Sequence, residues 1–378
     1  MTPAAAHIAR TLLPYTPASG RVYNFSAGPA CMPESVLEQL REELIDCQGG
    51  GIGLLEISHR GALYARLNDA AHDACRKASG ASSDYEVFFM PGGATVQFGL
   101  LPLNFIPESG TAAYIDTSIW SQKAYAEALR CRDVTLAFDG RAIKYAKVPA
   151  KGEFTEPAGA KYLFYCQNNT VEGTTFWEPP TTTLPIIGDA TSDIFSRPWD
   201  ISKHAMVLAA GQKNLGAAGA SLIIARKDFL ASATKRLPQI LRFEDHALAH
   251  SNLNTPPTFA VRVMGLMAEW TLSVGGPVAL AKHNAMKANL LWGAVDASKG
   301  FYSWHAEKAC RSHMNVCFRA PSPALDARFV AEAEEQGLFG LLGHREAGGM
   351  RASIYNGFPA KGCEILAQFM GDFAARHG

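Results

Sequence analysis

The chain has 378 residues, 48% hydrophobic and 19% charged, which suits one large packed domain plus a smaller one and excludes a disordered or fibrous protein. Lys+Arg and Asp+Glu both number 35, so no bulk positive field argues for nucleic acid or an anionic membrane. Any anionic substrate has to be met by local arginines. Eight cysteines are scattered without a CxxC pair, and several, such as Cys166 in YLFYCQ, lie inside apolar runs. That pattern fits reduced thiols used as small core residues, and a cytoplasmic location is the expectation. No apolar run approaches the roughly 18 residues of a membrane span.

Residues 1–20, MTPAAAHIARTLLPYTPASG, contain no acid, one arginine and three prolines. They are too broken for a secretory core and too Arg-poor for a transit peptide, so they read as a flexible extension. From Tyr23 a turn-rich arm, 21–33, leads into a helix whose Val36, Leu37, Leu40 and Leu44 recur at helical spacing. A glycine-rich connector follows, carrying His59 and Arg60 just before a helix at about 64–79. An adjacent His-Arg pair is usually a surface accident, but in a loop that meets a pocket it makes an anion fork.

The chain then alternates. Apolar strands are predicted at 85–90, 111–116, 133–138, 162–166, 184–189, 206–210 and 222–225, with helices at 95–103 and 119–130 among them. This pattern indicates an α/β domain with a mainly parallel sheet, whose ligands collect beyond the carboxyl ends of the strands. Beyond Phe229 helices lengthen: one to about Val274, a Gly275-Gly276-Pro277 hinge, one at 278–295, one at 326–336 and one at 360–377. Strands are predicted at 310–319 and 350–355. The division is a large domain over 34–274 and a smaller α+β domain over 275–378, which the arm joins in space.

Several residues at predicted strand ends could carry chemistry. Lys213 lies on the glycine-rich turn of VLAAGQKNLGAAG, between two apolar strands. Desolvation there lowers a lysine pKa and makes the amine nucleophilic, although a hairpin lysine that snorkels to water has the same local sequence. The turn before Ala94 and Thr95 opens a helix after a strand, a place that holds a phosphate dianion, or is a plain βα turn. It is neither a Walker A nor a GxGxxG fingerprint. Trp120 follows a strand and either stacks on a planar ring or is a half-buried core residue. Asp189 ends LPIIGD and either caps a helix or bonds a protonated ring nitrogen, with Thr170 toward the ring's hydroxyl side. A phosphate cradle, a stacking indole, an acid and a lysine, in that order in one α/β domain, together specify pyridoxal phosphate.

NFSAGPACMP, ISHRG, PGGATVQF, DATSDIFSRPWDIS, AAGQKNLGAAG, NTPPTFA and GHREAGGMRASIYN resemble the phosphoserine aminotransferases, class V enzymes of fold-type I, from about Tyr23 to the C-terminus. The resemblance implies a mainly parallel, seven-stranded large domain and pyridoxal 5'-phosphate as cofactor. It implies Lys213 as the Schiff-base lysine. Ala94, Thr95 and Gln212 would hold the cofactor phosphate, Trp120 would stack on the ring, and Thr170 and Asp189 would be its polar partners. Asn254 and Thr255 would reach the phosphate of a neighbouring subunit's cofactor, which implies a homodimer with composite sites. Arg351 would be the fork for the substrate α-carboxylate. His59, Arg60, His344 and Arg345 would meet the substrate phosphate or the glutamate side chain. The implied reaction is reversible amino transfer between L-glutamate and 3-phosphooxypyruvate, giving 2-oxoglutarate and O-phospho-L-serine. Bacterial relatives also act on a four-carbon phosphonooxy analogue in pyridoxine synthesis. Asn169 stands where many relatives carry an acid, and Ala27 where a serine is common.

Three other readings compete. A cysteine desulfurase needs a reactive cysteine on a mobile loop, which Cys310, Cys317 and Cys363 do not fit. An alanine- or serine-glyoxylate aminotransferase has no need of the His-Arg pairs. His246 and His250 have i,i+4 spacing for a metal, but no HExxH or third ligand is near, and no metal is expected.

Overall fold

A computed structural model describes residues 20–378, so the extension expected at 1–20 lies, but for Gly20, outside the described residues. Seven strands form the central sheet, in the order Tyr85–Pro91, Ala220–Arg226, Met206–Ala210, Ile186–Asp189, Ala160–Cys166, Thr111–Asp116, Thr135–Asp139. Six run parallel. Ala220–Arg226 runs against both of its neighbours, with Ser221 opposite Ala210 on one side and Met90 on the other. The inner strands are buried along nearly their whole length, as continuous apolar runs in a sheet covered on both faces must be. Phe88, Leu101, Tyr114, Phe164 and Ile223 belong to the core on one face, and Val87, Phe89, Val207, Leu222 and Val261 to that on the other. Two tyrosines inside the first core pair their hydroxyls, Tyr114 with Tyr162 at 2.7 Å, so neither polar tip is left unsatisfied.

The helix Thr258–Ser273 is apolar nearly all round because it packs between neighbours. Its one buried guanidinium, Arg262, makes a two-pronged pair with Glu43 of Glu34–Glu43, at 2.8 and 2.6 Å. Left-handed Gly275 and Gly276 (φ 98° and 71°) then turn the chain into the helix Gly276–Ala297.

The C-terminal part packs Gly276–Ala297, Pro323–Glu335 and Ala360–His377 against the antiparallel pair Asn315–Phe318 and Met350–Ser353. Cys363, Leu366, Phe369, Met370 and Phe373 form the buried face of the last helix. The arm strand Tyr23–Asn24 runs parallel to Leu338–Phe339, so the N-terminal arm is part of this layer. Lys287 is wholly buried and donates to three carbonyls, Ile354 at 3.0 Å, Tyr355 at 2.7 Å and Phe358 at 3.1 Å.

One expected strand is shorter than its sequence pattern. Instead of a strand over 310–319 there is a single turn at Lys308–Cys310, a loop, and a strand only at Asn315–Phe318. The Ser312 hydroxyl accepts from the amides of Met314 and Asn315, at 2.9 and 3.1 Å, and donates to Asn168 Oδ1 at 2.6 Å. A serine side chain bonding its own backbone competes with the sheet ladder, and here it wins. Among the described residues, no single helix is long and apolar enough to cross a membrane.

Candidate active site

The carboxyl ends of four parallel strands and the turn into the reversed one surround a cavity of about 380 Å³, which Thr95, Trp120, Asp189, Gln212 and Lys213 help to line. Ala210 ends a strand, and the chain returns ten residues later as Ala220–Arg226. Close approach requires glycine in that turn: a Cβ on Gly211 would lie 2.1 Å from the Ala217 carbonyl oxygen. Lys213 is 8% exposed, its ammonium 5.6 Å from the Trp120 ring centroid. Burial brings its pKa down to about 8; the Asp189 carboxylate opposes this, and the Arg351 guanidinium adds to it.

Asp189 ends its strand 7% exposed. Its Oδ1 accepts from the Thr191 amide (2.9 Å) and the Thr191 hydroxyl (2.5 Å), while Oδ2 has only the Cys166 thiol, at 3.9 Å. Thr191 Oγ1 in turn accepts from the Ala210 amide at 3.0 Å, which ties the acid's strand to the lysine's. Burial raises the Asp189 pKa against those bonds and against Lys213. An oxygen so placed is an acceptor in want of a charged donor.

Trp120 sits one residue into the helix Ile119–Leu129, which Ser118 starts with a capping box closed by Ser121. Its Nε1 donates to Thr170 Oγ1 at 3.0 Å, which fixes the plane of the ring. Gly93, which also lines the cavity, precedes the helix Ala94–Phe105, whose first amides have no acceptor within the helix. The turn before it needs Gly92, at φ 86°, since a Cβ there would lie 2.8 Å from Val96. The cavity thus offers an anion end, a flat aromatic wall, an open carboxylate oxygen and a desolvated amine. That donor set fits pyridoxal phosphate.

Ala94, Thr95, Trp120, Asp189, Gln212 and Lys213 line this cavity. Thr170 joins it through Trp120, and Arg351 donates from Nη1 to the Thr170 carbonyl at 3.3 Å. Burial first, and then the Arg351 guanidinium, holds His344 below its usual pKa, whereas the Arg345 side chain is 88% exposed and lies 4.0 Å from Glu346. His59, Arg60, Asn254 and Thr255 do not line the cavity. Asn252, two residues before Asn254, donates from its side chain to the His59 carbonyl at 3.1 Å, and Arg60, Asn254 and Thr255 are exposed. The two histidines weighed as metal ligands part company: His246 Nε2 pairs with the Ile240 carbonyl, and His250 with Asp69. Among the described residues, no group of three or more His, Cys, Asp or Glu could hold a metal ion. Asn169 is buried, bonded to Thr174 and Thr117, and the Ala27 carbonyl accepts from the Tyr355 hydroxyl at 2.8 Å.

Thr191, Asn214 and Glu172 escaped the sequence reading. Asn214 follows the lysine directly, and its Oδ1 accepts from the Asn356 amide at 2.9 Å, which joins the lysine turn to the small domain. Of the three, only Thr191 had a signal, its place right after a strand-end acid.

The family model described as aminotransferase class-V matches residues 22–366. The phosphoserine aminotransferase of Rhodopirellula baltica is 43% identical over 361 residues, covering 94% of this chain and 96% of that protein. The chain belongs to the phosphoserine aminotransferase family. Among solved structures, the phosphoserine aminotransferase of Bacillus circulans subsp. alkalophilus matches with a TM-score of 0.92 at 40% identity, over 95% of this chain and 99% of that one. That of Trichomonas vaginalis, solved with PLP bound, matches with a TM-score of 0.88 at 32% identity, over 93% of this chain and 100% of that one. The overall fold is therefore shared with solved members of this family.

Proposed function

We propose that this chain is a pyridoxal phosphate-dependent phosphoserine aminotransferase, exchanging the amino group between L-glutamate and 3-phosphooxypyruvate to give 2-oxoglutarate and O-phospho-L-serine. One observation carries the reading: Lys213, Asp189, Trp120 and the helix start at Ala94 and Thr95 converge on one cavity. When bound, the cofactor supplies an aldehyde that condenses with amines and a ring that takes up the electron pair left when the substrate Cα loses its proton.

The chain's own residues supply the rest. Lys213 offers its amine as nucleophile, and its Nζ takes the proton from the substrate Cα and returns it, as general base and acid. A pKa of about 8 keeps a usable neutral fraction near pH 7. Asp189 Oδ2 holds the proton on the ring nitrogen. Trp120, steadied by Thr170, stacks on the ring, and Ala94, Thr95 and Gln212 hold the phosphate. Arg351 receives the α-carboxylate as a planar fork. His344 and Arg345, with His59 and Arg60, receive the substrate phosphate or the glutamate side-chain carboxylate. The placement of His59, Arg60, Asn254 and Thr255 outside the cavity supports a homodimer in which Asn254 and Thr255 serve the cofactor of the neighbouring subunit. Eight free cysteines, five of them buried, support a reducing, cytoplasmic setting.

The test is glutamate-dependent formation of 2-oxoglutarate with 3-phosphooxypyruvate, glyoxylate or pyruvate as acceptor. The cofactor-loaded protein is expected to be coloured and to prefer the phosphorylated acceptor, and Lys213→Ala to be colourless and inactive. Equal or faster turnover with glyoxylate overturns the assignment.

A further inference from the structure

The turn between Asn168–Asn169 and Thr174–Thr175 joins three parts of the molecule within three residues. Thr170 holds the Trp120 indole through its hydroxyl and Arg351 through its carbonyl. Two residues on, the Glu172 carbonyl accepts from Trp304 Nε1 of the small domain at 2.7 Å. The Glu172 carboxyl accepts, through Oε1, from the Ile119 amide at 3.0 Å, at the start of the Trp120 helix. The residue is 3% exposed, and its second oxygen, Oε2, has no hydrogen-bond partner. A buried carboxylate oxygen without a partner is uncommon enough to need a reason.

Its surroundings supply one. Burial above all disfavours the charged form of Glu172 and the nearby Asp116 adds to that, while the Ile119 amide, the residue's own amide and then the Arg351 guanidinium favour it. Tyr145, Cys166 and Cys317 also lie within range of its charge. Across a cleft of about 640 Å³ between the two domains stand Arg141, Lys144, His305, Arg319 and Glu346. When ionised, Glu172 supplies Arg351 with a resident negative charge and repels an arriving carboxylate. When neutral, it leaves the guanidinium to the substrate and keeps its bond to the Ile119 amide.

We propose that Glu172 is a positioning residue acting through Arg351: a substrate carboxylate pairs with Arg351 as Glu172 Oε2 takes up one proton from solvent, and the proton leaves with the substrate. The proposal rests on Arg351 being the carboxylate fork. Burial pushes the Glu172 pKa up to about 7, so both forms are populated where such an enzyme works. The sign follows: above that value, binding must draw a proton onto Glu172, so affinity falls as pH rises.

The test uses the cofactor-loaded enzyme and glutarate, a dicarboxylate without an amino group that cannot react. Calorimetry at pH 7 in two buffers of different ionisation enthalpy is expected to show roughly half a proton taken up per glutarate bound, and the Kd is expected to rise about tenfold from pH 6 to pH 8. In Glu172→Gln both effects vanish, although the carboxamide still accepts from the Ile119 amide. No proton uptake by the wild type overturns the proposal without recourse to any variant. Binding that needs Arg351 but keeps its pH slope in Glu172→Gln overturns the proposal alone, whereas binding that survives Arg351→Ala overturns the Arg351 reading and the proposal with it.

Discussion

Replacing Asp189 by asparagine should move cofactor affinity and cofactor-free stability in different directions. The change removes the charge and keeps the shape. The asparagine oxygen can still accept from the Thr191 amide and hydroxyl, now 2.9 and 2.5 Å from Asp189 Oδ1, and its amide group then takes the place of Oδ2 at the cavity. In the cofactor-free protein a buried carboxylate that binds its proton more tightly than in the unfolded chain is a liability, since that liability grows as pH rises above the unfolded carboxylate value, near 4. Cofactor-free Asp189→Asn should therefore melt no lower than wild type at pH 7, and the difference should close below about pH 4. With cofactor the sign reverses, because an amide N–H cannot accept from a protonated ring nitrogen. Loss of a hydrogen bond to a charged group, about 1.5–3 kcal/mol, corresponds to roughly 10- to 150-fold weaker binding. Titration of tryptophan fluorescence with pyridoxal phosphate gives the affinity, and melting with and without cofactor gives the stabilities. Affinity within about twofold of wild type, or a cofactor-free variant that melts several degrees lower, would refute the assignment of Oδ2 to the ring nitrogen.

The lysine should announce its own pKa. Capture of pyridoxal phosphate by cofactor-free protein requires the neutral amine, so its rate should climb about tenfold per pH unit and level off above about pH 8; stopped-flow absorbance showing a climb that continues to pH 10 would mean that Lys213 is not desolvated in solution. Trp120→Phe keeps a stacking ring and loses the bond to Thr170 Oγ1, which should weaken cofactor binding by about 0.5–1.5 kcal/mol, read by titrating cofactor absorbance because the variant lacks one of the tryptophans. Arg262 and Glu43 expose only 3% and 6% of their side chains, so Glu43→Gln should destabilise the fold by about 3–5 kcal/mol in urea denaturation, and Glu43→Leu combined with Arg262→Met should recover much of that loss.

The residues that read clearly in the sequence were those whose chemistry follows from local pattern. Apolar runs ending in Asp116, Asp189 and Ala210 marked strand ends within a residue or two, because a strand buried on both faces has no polar interruptions. Lys213 was not decided by its own turn, since a lysine that snorkels to water has the same local sequence; only its combination with Trp120, Asp189 and the turn before Ala94 singled it out, and the structure buries it to 8% exposure. Glu172 was not legible. Its sequence, TVEG, is an ordinary turn, and its importance comes from Ile119, Trp304 and Arg351, which lie 53, 132 and 179 residues away along the chain. The loop at 311–314 misled because the strand-like run that follows it cannot reveal that Ser312 will bond its own backbone. The sequence could not place His59 and Arg60 relative to the cavity, which they do not line, since local pattern carries no information about which loops meet in space.

The reversed strand beside the lysine has a consequence for how this chain tolerates change. A parallel neighbour would have required a long crossover, and crossovers absorb insertions without disturbing the sheet. Here the turn is pinned at both ends, Met206–Ala210 to its partner at Ile186–Asp189 and Ala220–Arg226 to Tyr85–Pro91. One residue added in the buried stretch 213–216 must either bulge into the cavity or slip a pairing that reverses every side chain on a strand, whereas Ala218 and Gly219 are exposed. Homologous recombination and loop grafting therefore have four positions, 213 through 216, that travel only as a unit of fixed length.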